Sequence, residues 1–177
     1  SNGAGVIYDS VYVQATKAGH VRGRVDYDNI GSGAWRLFTT KSPGFTNGAP
    51  SATNYAPKPQ IVLANASPTS NPNEGAFENN GSQMVYFKLE GSAYDSTFSC
   101  YDIFYTLNGN YPIPFYPGPE NNNYFRYGDS LNSAFPITES TVIRAIAVPK
   151  ITSTICPVNT LPSFCETNTY FIDPEHN

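Results

Sequence analysis

Pro136-Ile137-Thr138-Glu139-Ser140-Thr141-Val142-Ile143-Arg144-Ala145-Ile146-Ala147-Val148 is the longest β-branched stretch of the chain. Successive side chains of a strand point to opposite faces, so Thr141 to Val148 sorts into two rows. Ile143, Ala145 and Ala147 form an inward row, and Val142, Arg144, Ile146 and Val148 face outward or against a neighbour. The two inward alanines leave room for an opposing sheet to approach closely. The period is that of a strand, and no stretch elsewhere carries a helical apolar stripe over three or four turns.

The same pattern recurs on either side. Gln83 to Glu90 alternates Val85, Phe87 and Leu89 against Tyr86, Lys88 and Glu90. Tyr101 to Leu107 is a strand that runs into Asn108-Gly109, a dipeptide suited to positive φ. Asn168 to Ile172 closes the series. Toward the amino terminus, Val6 to Val13, Val21 to Val25 and Ala34 to Phe38 are shorter strands, with Asp26 to Gly33 a turn by composition. Trp35, the sole tryptophan, is expected to anchor a core. Each strand has one apolar side to bury, and two packed antiparallel sheets meet that need. The expected class is therefore all-β, an antiparallel β-sandwich with an additional N-terminal β segment.

Composition agrees. Among 177 residues, 14 Gly and 15 Pro punctuate short aromatic and β-branched runs. Prolines 43, 50, 57 and 59 break the chain between two units. The organisation expected is residues 1–50, a proline-rich linker at 51–59, a sandwich at 60–173 and a tail at 174–177. Net charge is −4, with 10 Lys plus Arg and no basic cluster, which argues against nucleic acid and anionic membrane as partners. No apolar run has the length of a membrane span. The opening Ser1-Asn2-Gly3 reads as a processed or engineered start. Asn65-Ala66-Ser67 and Asn80-Gly81-Ser82 fit the glycosylation pattern.

Chemistry-bearing motifs are sparse. The two histidines are His20, read as an exposed strand-edge residue, and His176 near the end. Asp26, Asp28 and Ile30 before Gly31 have the spacing of a calcium loop. Ile30 and Leu37 stand where oxygen ligands are wanted, so a turn is the preferred reading. No pair of carboxylates is singled out for glycoside hydrolysis. No catalytic residue, metal site or cofactor is assigned, and the chain is expected not to be an enzyme. Cys156 and Cys165 flank a short loop and are the most economical disulfide. Three free thiols, or Cys100 joined to either of the others, stay open.

Residues 110–136 are aromatic beyond what a turn needs. Tyr111, Tyr116, Tyr124 and Tyr127, with Asp129 and Asn121 to Asn123, form the candidate ligand-binding set. Such rings stack on the apolar faces of sugars. Alternatively, Phe115, Phe125 and Phe135 plug the sandwich end while the tyrosines reach the surface.

Ile103-Phe104-Tyr105-Thr106-Leu107-Asn108-Gly109-Asn110-Tyr111-Pro112-Ile113 resembles a signature of the chitobiase/β-hexosaminidase carboxy-terminal type of domain. Tyr105, Thr106, Gly109 and Pro112 match it, while Asn108, Asn110 and Ile113 depart from it. Residues 136–147 resemble the family's Pro-Ile, Thr and Thr-x-Ile-Lys/Arg-Ala-x-Ala segment. Thr169-Tyr170-Phe171-Ile172 resembles its closing strand, so the likeness spans residues 57–173. Residues 9–48 are similar to the last strands of a lamin-tail-type domain, chiefly through Trp35 to Phe38 and Ser42-Pro43-Gly44-Phe45-Thr46-Asn47. These resemblances imply an immunoglobulin-like sandwich in a secreted or cell-surface protein. They further imply a non-catalytic, carbohydrate-associated accessory or spacer module, monomeric, whose partners are neighbouring domains of a larger polypeptide. The alternative is a module that binds glycans or a surface protein through residues 110–136.

Overall fold

In the computed structural model, the described residues are 14–25, 35–64, 75–78, 82–89, 100–113, 125–126, 134–150 and 159–173. Every regular element among them is a strand. In chain order these are β1 (Val21–Arg24), β2 (Trp35–Phe38), β3 (Asn54–Tyr55), β4 (Pro59–Leu63), β5 (Gly75–Glu78) and β6 (Gln83–Leu89). They continue with β7 (Tyr101–Thr106), β8 (Phe125–Arg126), β9 (Phe135–Ile137), β10 (Thr141–Pro149), β11 (Thr160–Leu161) and β12 (Glu166–Asp173). The chain divides into two compact units, one of Ser1–Tyr55 with Asn159–Leu161, the other of Ala56–Val158 with Pro162–Asn177.

The larger unit holds a five-stranded sheet in the order β5-β12-β10-β7-β8 and a three-stranded sheet in the order β4-β6-β9. Alternation decides which side chains meet. Ile103 and Tyr105 of β7, Ile143, Ala145 and Ala147 of β10, and Tyr170 and Ile172 of β12 share one buried cluster with the facing strands. Ile61 and Leu63 of β4, Val85, Phe87 and Leu89 of β6, and Ile137 of β9 complete it from the other sheet. The inward rows expected for β6 and β10 are the observed ones. Ile143, Ala145 and Ala147 are wholly inaccessible. Phe87 packs on Tyr105 and Phe135 at centroid distances of 5.0 and 5.9 Å, so Phe135 packs against the core. Asn168, buried on β12, donates from Nδ2 to the Ile61 carbonyl (3.4 Å) and to the Tyr170 hydroxyl (3.3 Å), linking the two layers. Lys58 pairs with Glu166 at 2.5 Å at the rim.

The fold is all-β with antiparallel and mixed sheets, and its two-layer packing is consistent with a β-sandwich. The expectation of purely antiparallel sheets needs correction. β5 runs parallel to β12, pairing Gly75 with Tyr170 through Glu78 with Asp173, and β11 runs parallel to β3. Four residues opened by a glycine at φ +116° carry too little alternation to be read as a strand. Only the partner β12 reveals β5. Residues 110–136 likewise are not one long connection, because β8 pairs with β7 there. Pro59 begins β4, an outer strand of its sheet, where a missing amide costs no ladder bond.

The smaller unit pairs β1 with β2 in antiparallel register and β3 with β11. Leu37 and Phe38 are its buried apolar residues on β2, and Leu37 bridges to Ala52. Trp35 is only half-buried, with the Arg24 guanidinium over its ring at 5.5 Å, so the core anchors are Leu37 and Phe38. Ser42-Pro43-Gly44-Phe45-Thr46-Asn47 closes as a clasp. Ser42 Oγ donates to Asn47 Oδ1 (2.9 Å), and Asn47 Nδ2 donates to the Arg24 carbonyl (3.1 Å). Gly44 sits at φ +79° in this turn. A Cβ on Gly23 would lie 2.9 Å from Asn47 Nδ2, so the clasp needs glycine there. The segments 6–13 and 26–33, including Asp26, Asp28 and Ile30, lie outside the described residues.

The disulfide expected between Cys156 and Cys165 is corrected by the structure. Cys165 is a free cysteine, which excludes every pairing that involves it. Its Sγ donates to the Glu166 carbonyl at 3.3 Å, and the side chain packs on Phe104, Ile146 and Val148. Proximity in sequence is a weak guide to pairing, because bridge geometry depends on Cβ directions set by the strands. Cys156 lies outside the described residues.

Candidate functional site

The outer face of the five-stranded sheet carries the best-defined surface feature of the larger unit. Toward one end it is closed. Phe104, Ile146 and Val148 form a second buried cluster there, and the buried Asp102 pairs with Lys150 at 3.6 Å. Ser163 ties the chain before β12 to the β10 backbone: its amide donates to the Ala147 carbonyl and its Oγ accepts from the Ala147 amide, at 2.9 and 2.8 Å.

Toward the other end the chain leaving β7 folds back over Arg144. The Asn108-Gly109 turn makes this possible. Gly109 is at φ +76°, its amide donates to the Val142 carbonyl (2.9 Å), and the Asn110 amide donates to Asn108 Oδ1 (3.1 Å). Thr106 Oγ1, buried, donates to the Asn110 carbonyl at 2.6 Å, and Pro112 is buried behind it. These ties set Tyr111 over the guanidinium of Arg144, 5.4 Å from ring centroid to Cζ. Tyr111 remains 44% exposed and Ile113 49%.

Arg144 stands between Thr106 on β7 and Thr167 on β12 in register. Directly opposed residues share a face, so the guanidinium is flanked by two hydroxyl side chains, of which Thr167 is exposed. Glu166 is one residue out of phase and faces the other way, toward Lys58. Arg144 Nη1 donates to the Gly109 carbonyl over a long 3.4 Å, while Nε is closed off from solvent and has no hydrogen-bond partner. Burial raises the Tyr111 phenol above its ordinary 10.0. The neighbouring Cys165 adds to the rise, and Arg144 opposes it.

Of the candidate ligand-binding set, the structure places Tyr111 here. Tyr116, Tyr124, Tyr127 and Asp129 lie outside the described residues. In sequence Arg144 was placed only in the outward row of its strand; pairing the strands shows that the carboxylates of Glu166 and Asp102, on the neighbouring strands, pair with Lys58 and Lys150. His20 differs from the exposed residue expected. It is half-buried, its Nδ1 is 2.8 Å from the Tyr55 hydroxyl and its ring stacks on Tyr55 at 5.8 Å. The Tyr55 hydroxyl also accepts from the Lys17 amide (3.1 Å). Among the described residues, no group of three or more His, Cys, Asp or Glu could hold a metal, and no helix is long and apolar enough to cross a membrane.

The arrangement offers a half-open aromatic ring, a cation with unused donors and a hydroxyl, a set suited to recognition of polar ligands. No protein-family model matches the chain, and neither the curated proteins nor the solved structures return a match.

Proposed function

We propose that the chain is a non-catalytic accessory or spacer module of a secreted or cell-surface protein. In this reading the larger unit is an immunoglobulin-like sandwich of the chitobiase carboxy-terminal type, and the smaller unit is the end of a lamin-tail-type domain. One observation carries it. The residues that bear the resemblance are engaged in holding the fold together. Tyr105 stacks on Phe135 in the core at 4.9 Å. Thr106 and Gly109 fix the return of the chain, and Pro112 is buried. Ile143, Ala145 and Ala147 face the opposing sheet. A motif spent on turn and core suits a scaffold that positions its neighbours. In the smaller unit the Ser42 to Asn47 clasp has the same character.

The test is turnover of a panel of chromogenic α- and β-glycosides by the purified chain, with its thermal unfolding followed in parallel. The reading expects cooperative unfolding and no turnover above a boiled control. Turnover that is lost on substitution of one of the chain's own carboxylates would overturn it.

A second reading, a glycan-binding module, is favoured by Tyr111. Its ring is tied in place by the Gly109 turn yet left nearly half exposed beside a cation.

A further inference from the structure

Buried nitrogens in folded proteins almost always have a hydrogen-bond partner, and an orphan in an otherwise ordered site calls for an explanation. Arg144 Nε is such an orphan. Among the described residues, the hydrogen bond of the guanidinium head is the 3.4 Å contact to the Gly109 carbonyl, at the long limit of a hydrogen bond. The Nε–Nη2 edge is the side-on fork that matches a planar carboxylate. Glu166 turns to the other face and pairs with Lys58. Asp102, on the same face as Arg144, pairs with Lys150. In β-sheet register Asp102 lies opposite Val148, four residues along β10 from Arg144.

From the juxtaposition of an orphaned Arg144 fork, the half-exposed Tyr111 ring and the exposed Thr167, we infer a binding site for an acidic saccharide, a uronate, on the outer face of β10. The inference rests on the glycan-binding reading and names its ligand class. The uronate carboxylate accepts from the Arg144 fork. Turning the head toward it exchanges a long, neutral-acceptor contact for shorter charge-assisted bonds of about 2.8 Å. The sugar's C–H face lies on the open surface of Tyr111, and a ring hydroxyl reaches Thr167. A neutral sugar would keep the stacking and lose the charged bonds. A site built around a charged pair discriminates strongly against ligands that leave it unpaired.

Calorimetry with oligogalacturonate, a neutral galacto-oligosaccharide of equal length and an aspartate-rich peptide tests this. The proteins are the unaltered chain, Arg144→Gln and Tyr111→Ala, each checked for an unchanged unfolding midpoint. Tyr111→Leu, which keeps bulk without an aromatic face, stands in for Tyr111→Ala if the alanine variant unfolds early. The expected result is oligogalacturonate binding that weakens with added salt. It should fall about tenfold or more in Arg144→Gln, equivalent to about 1.4 kcal/mol. Loss in Tyr111→Ala is also expected, with little binding of the neutral sugar. Equal binding of acidic and neutral sugars, insensitive to Arg144→Gln, would overturn the uronate assignment and leave the glycan-binding reading intact. Binding of the peptide but neither sugar, or of no probe at all, would overturn both.

Discussion

The two faces of the five-stranded sheet are built from the same strands and have opposite characters. Inward from β10, Ile143, Ala145 and Ala147 are sealed against Ile61, Leu63, Val85, Phe87 and Leu89. Outward, Ile146 and Val148 are buried, whereas Arg144 and Val142 are half-covered and the flanking Tyr111 is open. One residue of offset separates a side chain that holds the layers together from one that meets solvent. The period-2 geometry of a strand therefore allows stability and recognition to vary independently along a single segment.

The strongest way to break this contrast is from inside. Phe87 is fully buried between Tyr105 and Phe135, so Phe87→Ala should cost about 3–5 kcal/mol, read as a lowered midpoint in urea unfolding. A loss under about 1 kcal/mol would mean that the layers are not packed as described. Asn168→Ala removes the side chain that joins β12 to the Ile61 carbonyl on β4, and should cost about 1–3 kcal/mol by the same measurement. Tyr101 makes stability pH-dependent only at high pH. Burial raises its phenol above 10.0 in the folded chain. Its contribution is thus complete below about pH 10 and is lost as pH rises through the folded value. Stability measured from pH 8 to 11.5 should decline less steeply in Tyr101→Phe than in the unaltered chain. An identical alkaline limb would place Tyr101 in solvent.

Much of the inner face could be read from the chain before any coordinates. Val85, Phe87 and Leu89 alternate cleanly, as do Ile143, Ala145 and Ala147, and both rows are buried where alternation puts them. What escaped reading depends on partners distant in sequence. Gly75 to Glu78 is a strand because β12 lies beside it, and Asn54-Tyr55 is one because Thr160-Leu161 does. Trp35 was expected to be central on size alone, but it faces Arg24 across the β1–β2 pair and keeps part of its ring exposed. The Cys156–Cys165 bridge was argued from nearness along the chain, and the free thiol of Cys165 packs instead on Phe104, Ile146 and Val148. The candidate site was half legible. Tyr111 was one of four tyrosines named together with Asp129, while Arg144 gained meaning only when Thr106 and Thr167 were placed on either side of it.

Urea unfolding of Ala145→Leu and Arg144→Gln, side by side with the unaltered chain, compares adjacent residues on opposite faces of β10. Extra volume at the sealed Ala145 should lower stability by about 1–3 kcal/mol. Loss of the Arg144 guanidinium should change it by no more than about 0.5 kcal/mol. Equal costs at the two positions, or a larger cost at Arg144, would contradict the division of roles between the faces.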